Sequence, residues 1–420
     1  MNKLFFENYR GLKGQIIEIN DVNFFVGENS TGKTSVLNLI NILSSKEFWI
    51  NTQFNNSEVE MGYFEEIISQ NSQESTFKVG IENILDDKNN TLLKILINFK
   101  NKKSVPSIDW IKFSVDELNV FVKIFPKSIK YHFIKQDTQS FEQWIYDEKI
   151  MQKSKFKSIH IPMNFPIALL LQFVLSDIKE SNKEINTEFD LRFSLLYNHY
   201  TWLAPIRAKA KRIYESYNIK FSPEGEHIPS LLRALLSSPK NKRKIIPILE
   251  KFGKESNLFD KIEIKELGTK NVAPFEIIIK YNNIPVKLPQ VGYGVSQLLP
   301  IIIEALDSSD YMFSIQQPEV HLHPKAQAAF GSFIYKSATN DRNKFLIETH
   351  SDYTINRYRY SLNSKESQNK PSSQILFFER KEEGNTISQI KISSKGEYIS
   401  ELPISYKEFF IDEELKLLEI

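Results

Sequence analysis

The sequence predicts an α/β fold, a mixed sheet with helices packed against it, and three observations lead there. A glycine-rich loop joins an apolar run to a helical pattern at residues 24–40. Apolar runs alternate with helical periodicity from residue 261 to residue 351, the pattern of strands connected by helices. The chain is 420 residues long with 41% apolar and 25% charged residues, enough to bury a large core in one large domain with an insertion, or in two domains.

Leu4–Phe6, Gln15–Ile19 and Asn23–Val26 read as short strands around the turn Gly11-Leu12-Lys13-Gly14. Residues 24–35 then read Phe-Phe-Val-Gly-Glu-Asn-Ser-Thr-Gly-Lys-Thr-Ser, a complete G-x-x-x-x-G-K-[ST] phosphate-binding loop. In such a loop Gly27, Glu28, Asn29, Ser30, Thr31 and Gly32 curl their backbone N–H groups around a β-phosphate at the positive end of the following helix. Lys33 reaches the β and γ phosphates, the hydroxyl of Thr34 ligates Mg²⁺, and Ser35 is the last residue of the expected nucleotide-binding set. The bland alternative is a glycine turn with a solvent-facing lysine; the strand before it and the helix after it favour nucleotide binding.

Strand-like alternation returns at Thr76–Ile81 and Leu92–Phe99, beyond which residues 106–200 turn aromatic and lysine-rich with helical stretches at Phe165–Leu175 and Phe189–Leu196. These are expected to form an inserted, mainly helical subdomain between lobes at 1–105 and 201–420. No sustained heptads suggest a long coiled-coil arm. Lys261–Glu266, Phe275–Tyr281 and Ile284–Leu288 follow as strands, and Gly292-Tyr293-Gly294-Val295-Ser296-Gln297 opens a helix through Leu298–Leu306. Tyr311–Ile315 is a buried strand ended by Gln316-Gln317-Pro318, Lys325–Lys336 a helix, and Lys344–Ile347 a strand ended by Glu348-Thr349-His350-Ser351. Strands at Gln374–Glu379 and Ile387–Ile392 and a helix at Tyr406–Leu418 close the chain.

These motifs in this order resemble the ABC-type ATPases of the RecF/SMC/OLD-like group, in particular compact AAA-labelled bacterial ATPases without a Toprim nuclease domain. The resemblance covers residues 1–105 and 200–420 and implies an ABC-type P-loop ATPase head using ATP and Mg²⁺. It implies a homodimer that sandwiches ATP between the phosphate loop of one subunit and the signature turn of the other. Here Gly294 and Ser296 are the signature candidates, and a turn with a helix-capping serine is the structural alternative. His350 matches the switch histidine that contacts a γ-phosphate.

Residues 316–324, Gln-Gln-Pro-Glu-Val-His-Leu-His-Pro, depart from the family pattern, which has a Mg²⁺-holding acid and a catalytic glutamate where this chain has Gln316 and Gln317. Glutamine orients water but is a poor base and a weaker Mg²⁺ partner than a carboxylate. Glu319 is the nearest acid. Slow hydrolysis with Glu319 contributing is the favoured reading, beside full takeover by Glu319 and binding without turnover. His321 and His323 make a poor zinc site, lacking a third ligand.

The formal net charge of +2 rules out a whole-molecule clamp for nucleic acid. Local basic runs remain: Arg207, Lys209, Lys211 and Arg212, and Lys240 to Lys244, which suit phosphate tracking or a solvated face. Arg207 is also placed near the nucleotide by the resemblance. The absence of cysteine excludes disulfides, thiolate zinc sites and cysteine nucleophiles. No run approaches the roughly 20 apolar residues of a membrane helix, and a cytoplasmic location fits. No Asp-x-Asp follows Ser351, which argues against a nuclease centre. Relatives of this appearance, including the Septu and PARIS types, pair with a separately encoded nuclease or toxin in anti-phage defence. A RecF-like DNA-binding repair clamp is the alternative.

Overall fold

The computed structural model describes residues 2–410 other than 71, 87–90, 138, 153–154, 163–164, 183–198, 216–219, 270–272 and 365–368. The chain divides into two compact units: Met1–Ile19, Glu28–Asn198 and Phe378–Ile387 form the first, and Asn20–Gly27, His199–Phe377 and Ser388–Ile420 the second.

From the N-terminus come β1 (Lys3–Glu7), β2 (Gln15–Glu18), β3 (Val22–Gly27), α1 (Lys33–Ser44), α2 (Lys46–Asn51) and α3 (Phe64–Ile67). A meander follows: β4 (Thr76–Asp86), β5 (Thr91–Lys102), β6 (Val105–Val115), β7 (Leu118–Phe125), β8 (Ser128–Lys135), α4 (Phe141–Tyr146), β9 (Lys157–His160) and α5 (Ile167–Ser181). In the first unit the strands form an antiparallel sheet of eight in the order β2-β1-β4-β5-β6-β7-β8-β9. Its aromatic core stacks Phe77 on Phe99 with centroids 4.9 Å apart, and Phe54 meets Phe99 edge-on at 5.1 Å, the offset and T-shaped geometries that aromatic quadrupoles favour.

The expectation of a mainly helical insertion at 106–200 is corrected here. Its described residues contribute β6 to β9 to the sheet, with α4 and α5 beside them. Strand periodicity was masked by buried polar residues. Lys112 on β6 is 1% exposed, and its ammonium donates to the carbonyls of Trp144 and Asp147 and lies 4.6 Å from the centre of the Trp144 ring. A lysine with its charge met by carbonyls and an aromatic face can occupy an interior strand position, where sequence reading expects solvent. Burial pushes its pKa down to about 8. The expected helix at Phe189–Leu196 lies outside the described residues.

The second unit contains β3, followed by β10 (Tyr200–Leu203), α6 (Ile228–Ser237), α7 (Pro239–Ser256), β11 (Lys261–Glu266), β12 (Phe275–Tyr281), β13 (Ile284–Lys287) and α8 (Tyr293–Asp307). β14 (Met312–Gln316), α9 (Pro324–Asn340), β15 (Lys344–Glu348), α10 (Asp352–Leu362), β16 (Ser373–Lys381) and β17 (Gly384–Ile392) complete the elements, the last two strands divided between the units. A six-stranded sheet runs β10-β14-β15-β3-β16-β17, and β11, β12 and β13 make a separate antiparallel sheet. β10, β14, β15 and β3 are parallel neighbours. β3 and β14 are buried along their whole length, as expected of parallel strands covered on both faces. The register Gln316↔Glu348↔Phe25 brings the carboxyl ends of β14, β15 and β3 to one edge of the sheet, where ligands of parallel α/β sheets bind.

α9 and α10 approach closely at Gly331. A Cβ there would sit 2.3 Å from the Thr354 carbonyl oxygen and 3.0 Å from the Tyr358 nitrogen. Gly331→Ala is therefore expected to cost about 2 kcal/mol by forced separation of the helices, read as a fall of about 5 °C in Tm. An unchanged melting curve would contradict this packing.

Candidate functional site

The phosphate loop leaves the end of β3 and enters α1. Gly27, Ser30 and Gly32 have φ of 138°, 63° and 102°, positive values that favour glycine at 27 and 32. Gly32 also lies under Leu12, whose Cδ1 would be 3.3 Å from an added Cβ. Glu28, Asn29, Ser30 and Thr34 are exposed while Thr31 and Lys33 are buried. Both buried side chains point at one acceptor: the Lys33 ammonium donates to the Glu28 carbonyl at 2.5 Å and the Thr31 hydroxyl at 2.8 Å. Lys33 is thus held over the concavity of the loop, where a phosphate offers a stronger acceptor than a carbonyl. The Tyr9 hydroxyl donates to the Ser35 carbonyl at 2.7 Å, and Arg380 reaches the Ser30 carbonyl at 3.5 Å. Arg380 carried no recognisable signal in the sequence.

In the second unit, the carboxyl ends of β14 and β15 build a second cluster. Gln317 donates its N–H to the Glu348 carbonyl at 2.8 Å, extending the strand by one step, and then adopts φ 43°, uncommon for a side chain of its size. The reversal turns Glu319 toward the loop after β15. Its Oε1 accepts from the His350 N–H at 2.7 Å and its Oε2 from the Thr349 hydroxyl at 2.9 Å. Thr349 in turn donates its N–H to the Phe25 carbonyl at 3.1 Å, tying this carboxylate to β3. Burial raises the Glu319 pKa above the usual carboxylate range, opposed by these hydrogen bonds and by the Arg207 guanidinium. Among the described residues the side-chain nitrogen of Gln316 is buried and has no hydrogen-bond partner.

Arg207 belongs to this cluster and not to a surface patch. It is 5% exposed, donates to the carbonyls of Pro205 at 3.0 Å and Gln316 at 3.4 Å, and burial pushes its pKa down to about 10. The expectation that it tracks nucleic-acid phosphates with its neighbours is corrected on that ground. Lys209, Lys211 and Arg212 are exposed.

The loop from 318 to 323 is braced from both sides. His323 caps α9, its Nδ1 accepting from Ala326 at 3.3 Å, and the Gln327 amide donates to the Leu322 carbonyl at 2.8 Å. Ser351 caps α10 and donates to Gln327 at 2.7 Å. His321 has φ 65° and stacks loosely with Tyr293, centroids 5.5 Å apart. Among the described residues no group of three His, Cys, Asp or Glu could hold a metal ion. The His350 ring lies against Phe409, centroids 6.1 Å apart.

The turn before α8 exposes Gly292 and Tyr293, whereas Gly294 is buried, with a hypothetical Cβ 3.3 Å from the His321 carbonyl. A side chain at Gly294 would have to displace its neighbours by a few tenths of an ångström. The Ser296 hydroxyl donates to the Tyr293 carbonyl at 2.8 Å.

A family model described as AAA ATPase domain matches residues 1–355. No curated protein matches the chain. Among solved structures it is similar to the SMC head domain from Thermotoga maritima, with 10% identity over 93% of this chain and 99% of that one at a TM-score of 0.41. It is also similar to an SmcHead bound to the C-winged helix domain of ScpA, with 10% identity, 93% and 98% coverage and a TM-score of 0.43. A third is an Smc head domain with an extended coiled coil, bound to the C-terminal domain of ScpA derived from Pyrococcus furiosus. It shows 9% identity, coverage of 100% of this chain and 98% of that one, and a TM-score of 0.39. Among the described residues no helix is long and apolar enough to cross a membrane.

Proposed function

The chain belongs to the AAA ATPase domain family, and from that premise we propose that it binds ATP with Mg²⁺, hydrolyses it slowly through Glu319, and works as a dimeric nucleotide-gated switch on a partner effector. The observation that carries the catalytic part is the cradle around Glu319. A carboxylate that receives two hydrogen bonds from the loop after β15 stands where the glutamines at the end of β14 leave no base. Glu319 then accepts a proton from the attacking water, Gln317 orients that water, and His350 and Arg207 supply positive or hydrogen-bonding character to developing phosphate charge.

The resemblance implies Mg²⁺ brought in by the triphosphate, with the Thr34 hydroxyl and the Gln316 amide as its protein donors. Both are neutral oxygen donors, a chemistry suited to an ion that keeps phosphate and water as its other ligands. The metal would draw charge off the phosphates. Lys33 does so from the loop side.

The switch and its dimer rest on the resemblance of the signature turn and the histidine loop to ATP-sandwich families, and anti-phage defence with a nuclease or toxin partner on the same resemblance. His350→Ala is expected to lower turnover about 10-fold with nucleotide affinity nearly unchanged. Equal turnover in wild type and variant would remove His350 from the mechanism.

The DNA-clamp reading loses support with the burial of Arg207. Duplex DNA titrated over a salt series is expected to show no steep dependence of affinity on salt. A steep slope that flattens in Lys209→Ala, Lys211→Ala and Arg212→Ala would restore it.

A further inference from the structure

The second unit contains a cavity of about 130 Å³ that widens into open solvent. None of its lining residues belongs to the phosphate loop or to the Glu319 cradle. Its walls come from the basic run at 208–211, the start of α6 and the first turns of α8, and Ile228, Leu288, Leu299 and Pro300 give it an apolar floor.

The walls are fixed. Gly225 has φ 81°, and a Cβ there would sit 2.9 Å from the Pro300 Cβ, so only glycine permits this approach of the α6 entry to α8. His227 pairs with Glu304 of α8 and accepts the Ser222 N–H at 3.2 Å, pinning the same junction. On the opposite side Tyr214 exchanges backbone hydrogen bonds with Phe275 and stacks on its ring, centroids 5.4 Å apart. A cavity braced in this way exists before its ligand arrives.

Its polar groups fall into two kinds. Lys209 and Lys211 line it with exposed side chains, and among the described residues neither makes an ion pair. Glu215 and Glu226 line it with carboxylates, and Ser296 of α8 lines it beside Pro300. The complementary ligand has an anionic end for the lysines, a flat apolar body for the floor, and a hydrogen-bond donor for the acceptors.

We propose that this cavity binds a nucleoside monophosphate with an amino-bearing base, separately from the ATP of the phosphate loop. The phosphate pairs with Lys209 and Lys211, the base lies on the apolar floor, and its exocyclic amine donates to the carboxylates. Ser296, Leu299 and Pro300 belong to α8, so the occupant presses on the helix whose first turn carries the signature residues.

The test is calorimetric titration of AMP into the full chain saturated with a non-hydrolysable ATP analogue, with IMP and inorganic phosphate as parallel arms. AMP is expected to bind at one site in the micromolar range. IMP, which lacks the amine, and the charge-reversed Lys209→Glu/Lys211→Glu protein are each expected to weaken binding at least about 10-fold. Ala208→Phe, which fills the cavity, should do the same, with analogue binding unchanged in both variants. No AMP binding, equal affinity for IMP or phosphate alone, or undiminished affinity after charge reversal would each overturn the proposal. Failure of the analogue to bind counts only against the ATP reading, and AMP is then titrated into the free protein with the same expectations.

Discussion

Lys33→Ala is expected to weaken ATP binding at least about 100-fold, because the loop carries this ammonium on the first residue of α1 and holds it by its own Glu28 carbonyl. The fold should survive. Lys33 is 4% exposed, and its ammonium is satisfied by the Glu28 carbonyl; truncation leaves that carbonyl the hydrogen bond from the Thr31 hydroxyl. Equilibrium binding of a fluorescent ATP analogue, with a melting curve as control, reads the two effects separately. Tight binding by a folded Lys33→Ala protein would mean that the loop is a strand-to-helix turn and nothing more.

Glu319→Gln is expected to retain ATP and lose turnover by about 100-fold or more, the scale of a missing general base. The substitution preserves shape and keeps an acceptor oxygen for the His350 N–H, so binding and folding should change little. The pH dependence follows from burial. The carboxylate is the active form, and its pKa is raised by desolvation against the pull of Arg207, so turnover should fall as the pH drops through a value above the ordinary glutamate range. For stability the sign is opposite. A carboxyl whose folded pKa exceeds its unfolded one favours folding at low pH, and that contribution is lost as the pH rises through the window between the two values. A pH–rate profile with no limb in the mildly acidic range would separate Glu319 from the chemistry.

The sequence showed the parts of the fold whose pattern is dominated by one physical requirement. β3, β14 and β15 are mostly apolar because parallel strands are covered on both faces, and their carboxyl ends lead into polar motifs at one edge of the sheet. The phosphate loop was legible because left-handed backbone at Gly27 and Gly32 leaves little choice of residue. By contrast, β6 reads poorly as a strand because Lys112 and Ser114 occupy interior positions, the lysine being met by carbonyls 32 and 35 residues later. Such long-range satisfaction leaves no local trace.

The candidate site shows the same division. Glu319 could be named from its proximity to the glutamines, but the reason it can serve, a left-handed Gln317 and a hydroxyl from Thr349, depends on how two loops meet. Arg207 misled in the opposite direction. A run of basic residues suggests a solvated face, and only the strand β10 just before it, hydrogen-bonded to β14, shows why its first member turns inward to the Gln316 carbonyl.

The most direct test of the central claim is single-turnover hydrolysis of radiolabelled ATP by wild type, Glu319→Gln and Gln317→Ala under saturating protein. Wild type is expected to cleave measurably, Glu319→Gln to lose about 100-fold or more, and Gln317→Ala to lose about 10-fold or less. Cleavage that survives in Glu319→Gln and disappears in Gln317→Ala would contradict the claim, as would a wild type that holds ATP and never cleaves it.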